Sequence, residues 1–273
     1  MKLPEGTLDE INLKLLCQSI DLLKEKLLDV FTNNEQPPWR LPHGQLTAFG
    51  KHRLAGNQLL LGLHSDKKDW KSFVWDTKKN WECLDFKIKP NAFFVPQLSY
   101  EQFTTDDVCN LSQVSPTTKH SENIVETLKI KIENKSSWED YEKHIEKEWN
   151  CIKTRYGDSP KYLYETDIIE MPLKNSFIGK EEYYESLGHE VAHWLSNKKE
   201  FGGSYARNEF VAEITSCLFL KTNNMPVSIL PFHEYQVDSW ITEIDSDWLK
   251  EAIREIEFLI RIMKSATALE KQI

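Results

Sequence analysis

The sequence predicts a chain of α+β class, in which a small mixed α/β N-terminal domain precedes a mainly helical domain with a small sheet. Large apolar residues recur every three or four positions over residues 11–31 and 248–263, which is typical of amphipathic helices. Apolar and charged residues alternate over 86–89, and a run rich in aromatic and β-branched residues over 162–172 ends in proline. These two stretches indicate strands, so helices and short strands share the chain.

The predicted helix over 11–31 has the spacing of a core-packing element and no functional signature. Residues 36–42 follow as an extended segment, because their three prolines exclude a helix. A glycine-punctuated basic turn over 47–57 then leads into an apolar element that ends near residue 63.

Residues 51–89 hold nine basic residues against five acidic ones, interleaved with tryptophan and phenylalanine. This composition suits single-stranded nucleic acid, since basic side chains follow phosphates while exposed rings stack on bases. The alternative interpretation is that the aromatic residues form the core of a small sheet and the lysines its solvated faces. The spacing alone leaves both interpretations open.

A polar stretch over 115–121 interrupts the periodicity and is the preferred domain boundary. We therefore predict a first domain over 1–115, a linker over 116–135 and a second domain over 136–273. Within the second domain, the patterns predict a strand over 162–172 and helices over 138–149, 180–194, 206–220 and 248–263.

The sequence His-Glu-x-x-His at 189–193 is the strongest candidate for chemistry. On a helix, His189 and His193 project from one face and can bind the same metal ion, with Glu190 beside them. Zinc lowers the pKa of a bound water to about 7, and Glu190 would take that proton and pass it to the leaving amine. The motif thus predicts a metallopeptidase site, and an edge strand before the helix could pair with a peptide.

Such a site needs a third protein ligand, and the helix over 206–220 offers two carboxylates, Glu209 and Glu213. Both could not bind the metal without crowding. We expect one to be the ligand and the other to hydrogen-bond a histidine from behind. The spacing alone does not choose between them.

The bulk composition excludes several classes of protein. The chain has 273 residues, a net charge of −9 and five cysteines without CxxC spacing. The negative charge argues against a generic nucleic-acid binder, and no apolar run approaches the roughly 18 residues of a membrane span. The cysteine pattern predicts reduced thiols and a cytoplasmic protein rather than a disulfide framework or a cysteine zinc site.

Several stretches in register resemble the ArdC-type antirestriction proteins, a family carried by plasmids and phages. In the first half these are Pro-Trp-Arg-x-Pro at 38–42 and Gly-Lys-x-Arg-x-x-Gly-Asn at 50–57. In the second half they are Tyr-Tyr-Glu-Ser-Leu-Gly-His-Glu at 183–190 and Glu-Phe-Val-Ala-Glu at 209–213. The chain departs from the family's pattern at Arg53, where an aromatic residue is usual.

The resemblance implies an N-terminal domain that binds single-stranded DNA and a C-terminal zincin-like metallopeptidase that together protect incoming DNA from host restriction. It implies Zn²⁺ as cofactor, Glu190 as catalytic base, and His189, His193 and Glu209 as ligands with Glu213 behind them. A thermolysin-like distance from His193 would instead favour Glu213 as the ligand. Restriction enzyme components are a further candidate partner.

The candidate DNA contacts lie in the first half: Arg40, Lys51, Arg53, Asn57, Trp70 and Lys71. Two other functions stay open. The chain could be a DNA-binding factor whose zinc is structural or whose peptidase activity is vestigial. It could also be a host-directed metallopeptidase toxin whose N-terminal domain recognises protein.

Overall fold

The structure is a computed structural model that describes residues 10–33, 37–40, 44–95, 97, 107–133, 136–227 and 234–265. Its helices in chain order are α1 Glu10–Asn33, α2 Ala55–Lys67, α3 Lys78–Cys83, α4 Lys119–Glu133, α5 Trp138–Glu148, α6 Lys180–Lys198, α7 Tyr205–Thr222, α8 Glu234–Glu243 and α9 Ser246–Met263. Its strands are β1 Trp75–Thr77, β2 Phe86–Ile88, β3 Val108–Asn110, β4 Val114–Pro116, β5 Thr154–Tyr156, β6 Lys161–Leu163 and β7 Ile168–Met171. The predicted α+β class is confirmed.

The strands form three small sheets. In the first half, β1 pairs with β3 and β2 pairs with β4, both antiparallel. In the second half the order is β5-β7-β6, with β5 parallel and β6 antiparallel to the central β7. Strand β6 therefore lies at an edge of the sheet, and it contacts α6.

Among the described residues, three hydrophobic clusters of buried side chains hold these elements together. The largest is built on α6, α7 and α9, and it also includes Leu23 and Leu27 of α1 and Leu59 of α2. Two smaller clusters fill the sheets of the first half, around Trp81 and around Trp75. Trp75, Trp81 and Phe86 are thus core residues, as one of the two interpretations expected.

Each helix predicted by apolar periodicity is present, but three segments differ from expectation. Residues 38–40 form a short 3-10 turn within the segment predicted to be extended; residues 36 and 41–42 of that segment lie outside the described residues. The predicted strand over 162–172 is a hairpin, β6 and β7, and Asp167 at its turn has a left-handed φ of 56°. Asp is among the few side chains that tolerate this conformation.

The third difference is the predicted linker over 116–135, most of which forms helix α4. Leu128 of α4 is buried in the cluster around Trp81, with Ile124 and Val125 packed beside it. The division into two domains stays a prediction, since the largest cluster draws residues from both sides of the predicted boundary. Within the described part of the chain, no helix has the length and apolar character needed to cross a membrane.

Candidate metal centre

Helices α6 and α7 carry the candidate site and pack closely at it. Gly188, one residue before His189, lies so near α7 that a Cβ there would stand 3.3 Å from Cβ of Ser216. Ala192 and Ala212 are buried in the same helices. Small residues at this contact let the two helices approach, so side chains of α7 reach the histidines of α6.

The structure brings His189, His193 and Glu209 together. Nε2 of His189 lies 3.0 Å from Nε2 of His193, and the Glu209 oxygens lie 3.4 Å from His189 Nε2 and 3.3 Å from His193 Nε2. A tetrahedral ion with bonds of about 2.0–2.1 Å has ligand atoms about 3.3 Å apart. Two imidazole nitrogens and one carboxylate at this spacing fit three corners of such a site, leaving the fourth open.

The carboxylate of Glu209 interacts electrostatically with the imidazoles of His189 and His193. Burial raises the pKa of Glu209, but its contacts with His189 and His193 outweigh this and lower the pKa well below the usual range. Burial lowers the pKa of His189, yet the hydrogen bond to Glu209 and the nearby carboxylates produce a net rise. A cation, either a proton or a metal ion, is therefore stabilised between these side chains.

Glu190 is buried and points at the edge strand β6. Its Oε2 atom accepts a hydrogen bond of 2.7 Å from the backbone N–H of Tyr162. That N–H is directed at Glu190 rather than at the neighbouring strand β7, so the unpaired side of β6 faces the histidine helix. The base and the edge strand predicted from the sequence are thus adjacent.

Tyr164 lies at the C-terminal end of β6 and was missed in the sequence analysis. Its ring lies 4.8 Å from the ring of Tyr162, and the residue is exposed. Burial, followed by the negative charges of Glu209 and Glu190, raises the pKa of its phenol. Tyr164 lies 25 residues before His189, and this separation in sequence does not indicate that the two are close in space. The turn of the hairpin determines where Tyr164 points.

A hydrogen-bond network fixes the hairpin on the C-terminal half of α6. Asp167 Oδ1 accepts from the Tyr162 hydroxyl at 3.0 Å and from Trp194 Nε1 at 3.0 Å, while Oδ2 accepts from Lys198 Nζ at 2.6 Å. Asn197 Nδ2 also donates to the Tyr162 hydroxyl. Three residues of α6 thereby hold the edge strand at a fixed distance from the histidines.

Glu213 does not join the histidines. Its Oε1 atom accepts from Arg40 Nη2 at 2.8 Å and Nε at 3.0 Å, and from Trp39 Nε1 at 3.4 Å. Of the two carboxylates that the sequence left open, Glu209 is therefore the one beside His189 and His193. The expected hydrogen bond from Glu213 to a histidine is replaced by the ion pair with Arg40.

Three of the candidate DNA contacts are buried, which corrects their assignment. The Arg40 side chain is 8% exposed and also pairs with Glu185 at 2.6 Å. The Arg53 side chain is 10% exposed, with Nη1 donating to Gln97 and Nη2 to the Trp75 carbonyl. Asn57 is 3% exposed in α2. Their burial leaves little surface for contact with a phosphate.

The other three candidates are accessible. Lys51 and Lys71 are exposed, and Trp70 is half-buried with its ring edge-on to Trp75 at 5.3 Å. Lys71 pairs with the exposed Asp69. These residues retain the assignment proposed from the sequence.

The surface around Trp70 contains further residues that the sequence analysis left unassigned. Phe93 is exposed, its ring centroid lies 6.5 Å from that of Trp70, and Lys68 Nζ lies 5.1 Å above it. We call Lys68, Trp70, Lys71 and Phe93 the aromatic-basic surface. Phe93 lies 23 residues from Trp70, so the pairing depends on tertiary packing and was not visible in the spacing.

Comparison with known proteins agrees with this geometry. Residues 139–255 match the sequence model of the family described as zincin-like metallopeptidase. No curated protein matches the chain. Two solved structures of the antirestriction protein ArdC from the R388 plasmid are similar to the chain, one metal-free and one Mn(II)-bound.

The metal-free structure has a TM-score of 0.65 at 18% identity, covering 94% of this chain and 97% of that one. The Mn(II)-bound structure has a TM-score of 0.64 at 18% identity, covering 92% and 96%. At this identity the likeness establishes the fold. The chain therefore has the ArdC fold over nearly its whole length, and its residues 139–255 match the model of the zincin-like metallopeptidase family.

Proposed function

We propose that this protein is a metal-dependent peptidase that also binds single-stranded DNA and acts against restriction. The observation that carries the proposal is the meeting of His189, His193 and Glu209 beside Glu190 and the free side of β6. We infer Zn²⁺ as the natural metal, because two imidazoles and one carboxylate with an open position are a common catalytic zinc set. Mn(II) is a second candidate, since it occupies one of the similar structures.

In the proposed reaction, residues of the protein bind the peptide, and Glu190 transfers a proton from the attacking water to the leaving amine. A divalent ion held by His189, His193 and Glu209 would supply Lewis acidity and lower the pKa of the attacking water. Glu190 takes the proton from that water and returns it to the nitrogen of the leaving amine. Burial keeps the Glu190 carboxylate apart from bulk water, so the proton passes between the reacting atoms.

The substrate would be an extended peptide that pairs with β6. Strand β6 is an edge of its sheet, and the network around Asp167 fixes it against α6. Main-chain pairing gives affinity with little sequence preference, because it uses groups common to all peptides. This supports a peptidase that selects unfolded or extended segments.

We assign the Tyr164 hydroxyl as a donor to the carbonyl oxygen that becomes negative during attack. The position of Tyr164 directly after β6 supports this assignment. Burial and then the charges of Glu209 and Glu190 raise the pKa of the phenol, which favours the protonated form that can donate. Replacing Tyr164 by Phe would then lower kcat by about 10²-fold while leaving metal content unchanged.

Single-stranded DNA would bind at the aromatic-basic surface. Phe93 and Trp70 present rings on which bases can stack, and Lys68 and Lys71 are exposed beside them. This combination is the usual one for sequence-tolerant strand binding. The similarity in fold to ArdC supports the antirestriction part of the proposal.

A second function is a DNA-binding antirestriction factor without peptidase activity. The hydrogen bond from Tyr162 N–H to Glu190 favours it, because that bond competes with the proton that the base must accept. In this case the metal would only hold α6 and α7 together.

The Glu190→Gln variant separates the two functions. The introduced amide is isosteric with the carboxylate and leaves the three ligands in place, so metal and DNA binding should match the wild type. Peptidase activity on an unfolded protein should fall by about 10²–10⁴-fold, and protection of incoming DNA should fall with it. Full protection by a metal-loaded Glu190→Gln protein would instead establish the second function.

A further inference from the structure

Arg40 joins the N-terminal part of the chain to both helices of the candidate metal centre. Its Nη2 atom lies 2.6 Å from Oε1 of Glu185 in α6 and 2.8 Å from Oε1 of Glu213 in α7. All three side chains are buried. One guanidinium therefore bridges the two helices in the protein interior.

The bridge lies one helical turn from the candidate ligands. Glu185 precedes His189 by four residues in α6, and Glu213 follows Glu209 by four residues in α7. Residues four apart lie on the same helix face, about 6 Å apart along the axis. Any sliding or rotation of α6 against α7 would change the ligand spacing and the Arg40 bridge together.

The charges around Arg40 argue against a second metal site formed by Glu185, Glu213 and Cys217. Glu185, Glu213 and Cys217 place ligand atoms close enough for a second metal, but the guanidinium already lies among them. The Cys217 thiol, with its pKa raised by burial, is neutral and donates to Glu213 Oε1 at 3.7 Å. The cluster is therefore an ion-pair network built around Arg40.

The position of Arg40 is fixed by its neighbour in the 3-10 turn. Trp39 is 1% exposed, packs edge-on against Phe210 and Trp240, and donates to the same Glu213 oxygen. Phe210 follows Glu209 directly in α7. The turn at residues 38–40 is thus inserted beside the carboxylate-bearing helix rather than lying on the protein surface.

We propose that Arg40 is a positioning residue for the metal centre, holding α6 and α7 at the spacing in which His189, His193 and Glu209 bind one ion. The inference rests on the proposed metal site. It makes metal affinity depend on an N-terminal segment that lies well outside residues 139–255. Arginine suits the role because its planar fork can bind two carboxylates at once, whereas a lysine ammonium is a point charge.

The test compares Co²⁺ binding to the full-length wild type with that of Arg40→Lys and Arg40→Met, using visible absorption to follow both affinity and coordination. Arg40→Lys keeps the charge and should weaken binding about threefold, while Arg40→Met should weaken it about tenfold. The visible spectrum should shift in the same order, since ligand geometry changes. Arg53→Met is the matched control, because it also removes a buried arginine ion-paired to an acid, Asp76.

Urea unfolding of each variant separates stability from positioning. We expect Arg53→Met to lose stability while keeping wild-type Co²⁺ affinity and spectrum. Unchanged affinity and spectrum in Arg40→Lys and Arg40→Met would overturn the proposal, as would an equal loss in Arg53→Met. If Arg40→Met does not fold, Arg40→Lys decides. A wild type that binds no Co²⁺ would refute the metal site itself, which is a different result.

Discussion

The candidate metal centre and the aromatic-basic surface are encoded in the sequence in different ways. His189, Glu190 and His193 lie within five residues of one helix, so helical periodicity alone places them on adjoining faces. Phe93 and Trp70 meet only because two distant segments of the N-terminal part pack together. The comparison teaches that a site built on one turn of helix can be recognised from spacing, whereas a site built by tertiary contact cannot.

The largest expected effect is the loss of metal on removing a ligand. Glu209→Ala should reduce bound Zn²⁺, measured by mass spectrometry after dialysis, from about one ion per chain to nearly none. Glu213→Gln should retain most of the metal, because it weakens the Arg40 bridge without removing a ligand, and it should also lower stability. Equal metal loss in both variants would contradict the different roles of these carboxylates.

On the aromatic-basic surface, Phe93→Ala should weaken binding of a labelled single strand. One stacked base contributes about 1–3 kcal/mol, which corresponds to a loss of about 5- to 150-fold in affinity. Fluorescence anisotropy at fixed salt measures this. The control is Tyr156→Ala, which removes an exposed ring from strand β5 in the second half of the chain and should leave affinity unchanged.

A smaller effect is expected from charge on the same surface. Replacing Lys68 or Lys71 by Gln should weaken strand binding and reduce the slope of log affinity against log salt by about 0.7 for each lost phosphate contact. Arg53→Lys should leave the slope unchanged, because the Arg53 side chain is buried and bonded to Gln97. A fall in slope for the Arg53 variant alone would instead support Arg53 as a DNA contact, as first inferred from the sequence.

The smallest effect concerns the hairpin that carries β6. Burial raises the pKa of Asp167, but its bonds to Lys198, Tyr162 and Trp194 produce a net decrease. Because the pKa of Asp167 is lower in the folded protein than in the unfolded chain, its ionised form stabilises the folded protein at pH values above the unfolded pKa of about 4. This stabilisation is lost as the pH falls through the folded-state pKa.

Asp167→Asn should therefore make the free energy of unfolding depend less steeply on pH below about pH 4. The side chain is 37% exposed, so screening limits the effect to less than about 1 kcal/mol. Circular dichroism along an acid titration measures it. Glu139→Gln, which removes an exposed pair with Lys143, should leave the titration unchanged; a flattening as large as that of Asp167→Asn would contradict the role of the hairpin network.

Much of the fold was predictable because its helices carry local signals. The bounds of α6 and α7 lie within a few residues of the predicted helices wherever apolar spacing defined the end. Helix α4 was missed because its charged, weakly apolar sequence follows a polar stretch, and burial of Leu128 against a distant sheet stabilises it. Tertiary packing thus decided what local periodicity left open.

The candidate site shows the same division between local and distant information. The motif identified three residues of the site, His189, Glu190 and His193. The helix that follows it limited the third metal ligand to two candidates, Glu209 and Glu213. It could not choose between them, because the choice depends on Arg40, which is 173 residues away from Glu213 in sequence. Arg40, Arg53 and Asn57 were assigned to DNA because charge and polarity in a sequence do not reveal burial.

The most direct test of the central claim is a crystal structure of the protein soaked or grown with Zn²⁺, with the ion located by anomalous scattering. We expect a single strong peak within about 2.0–2.2 Å of Nε2 of His189, Nε2 of His193 and a carboxylate oxygen of Glu209. We also expect Glu213 to remain bonded to Arg40. A peak bound by Glu213, or no peak between the two histidines, would refute the proposed metal site.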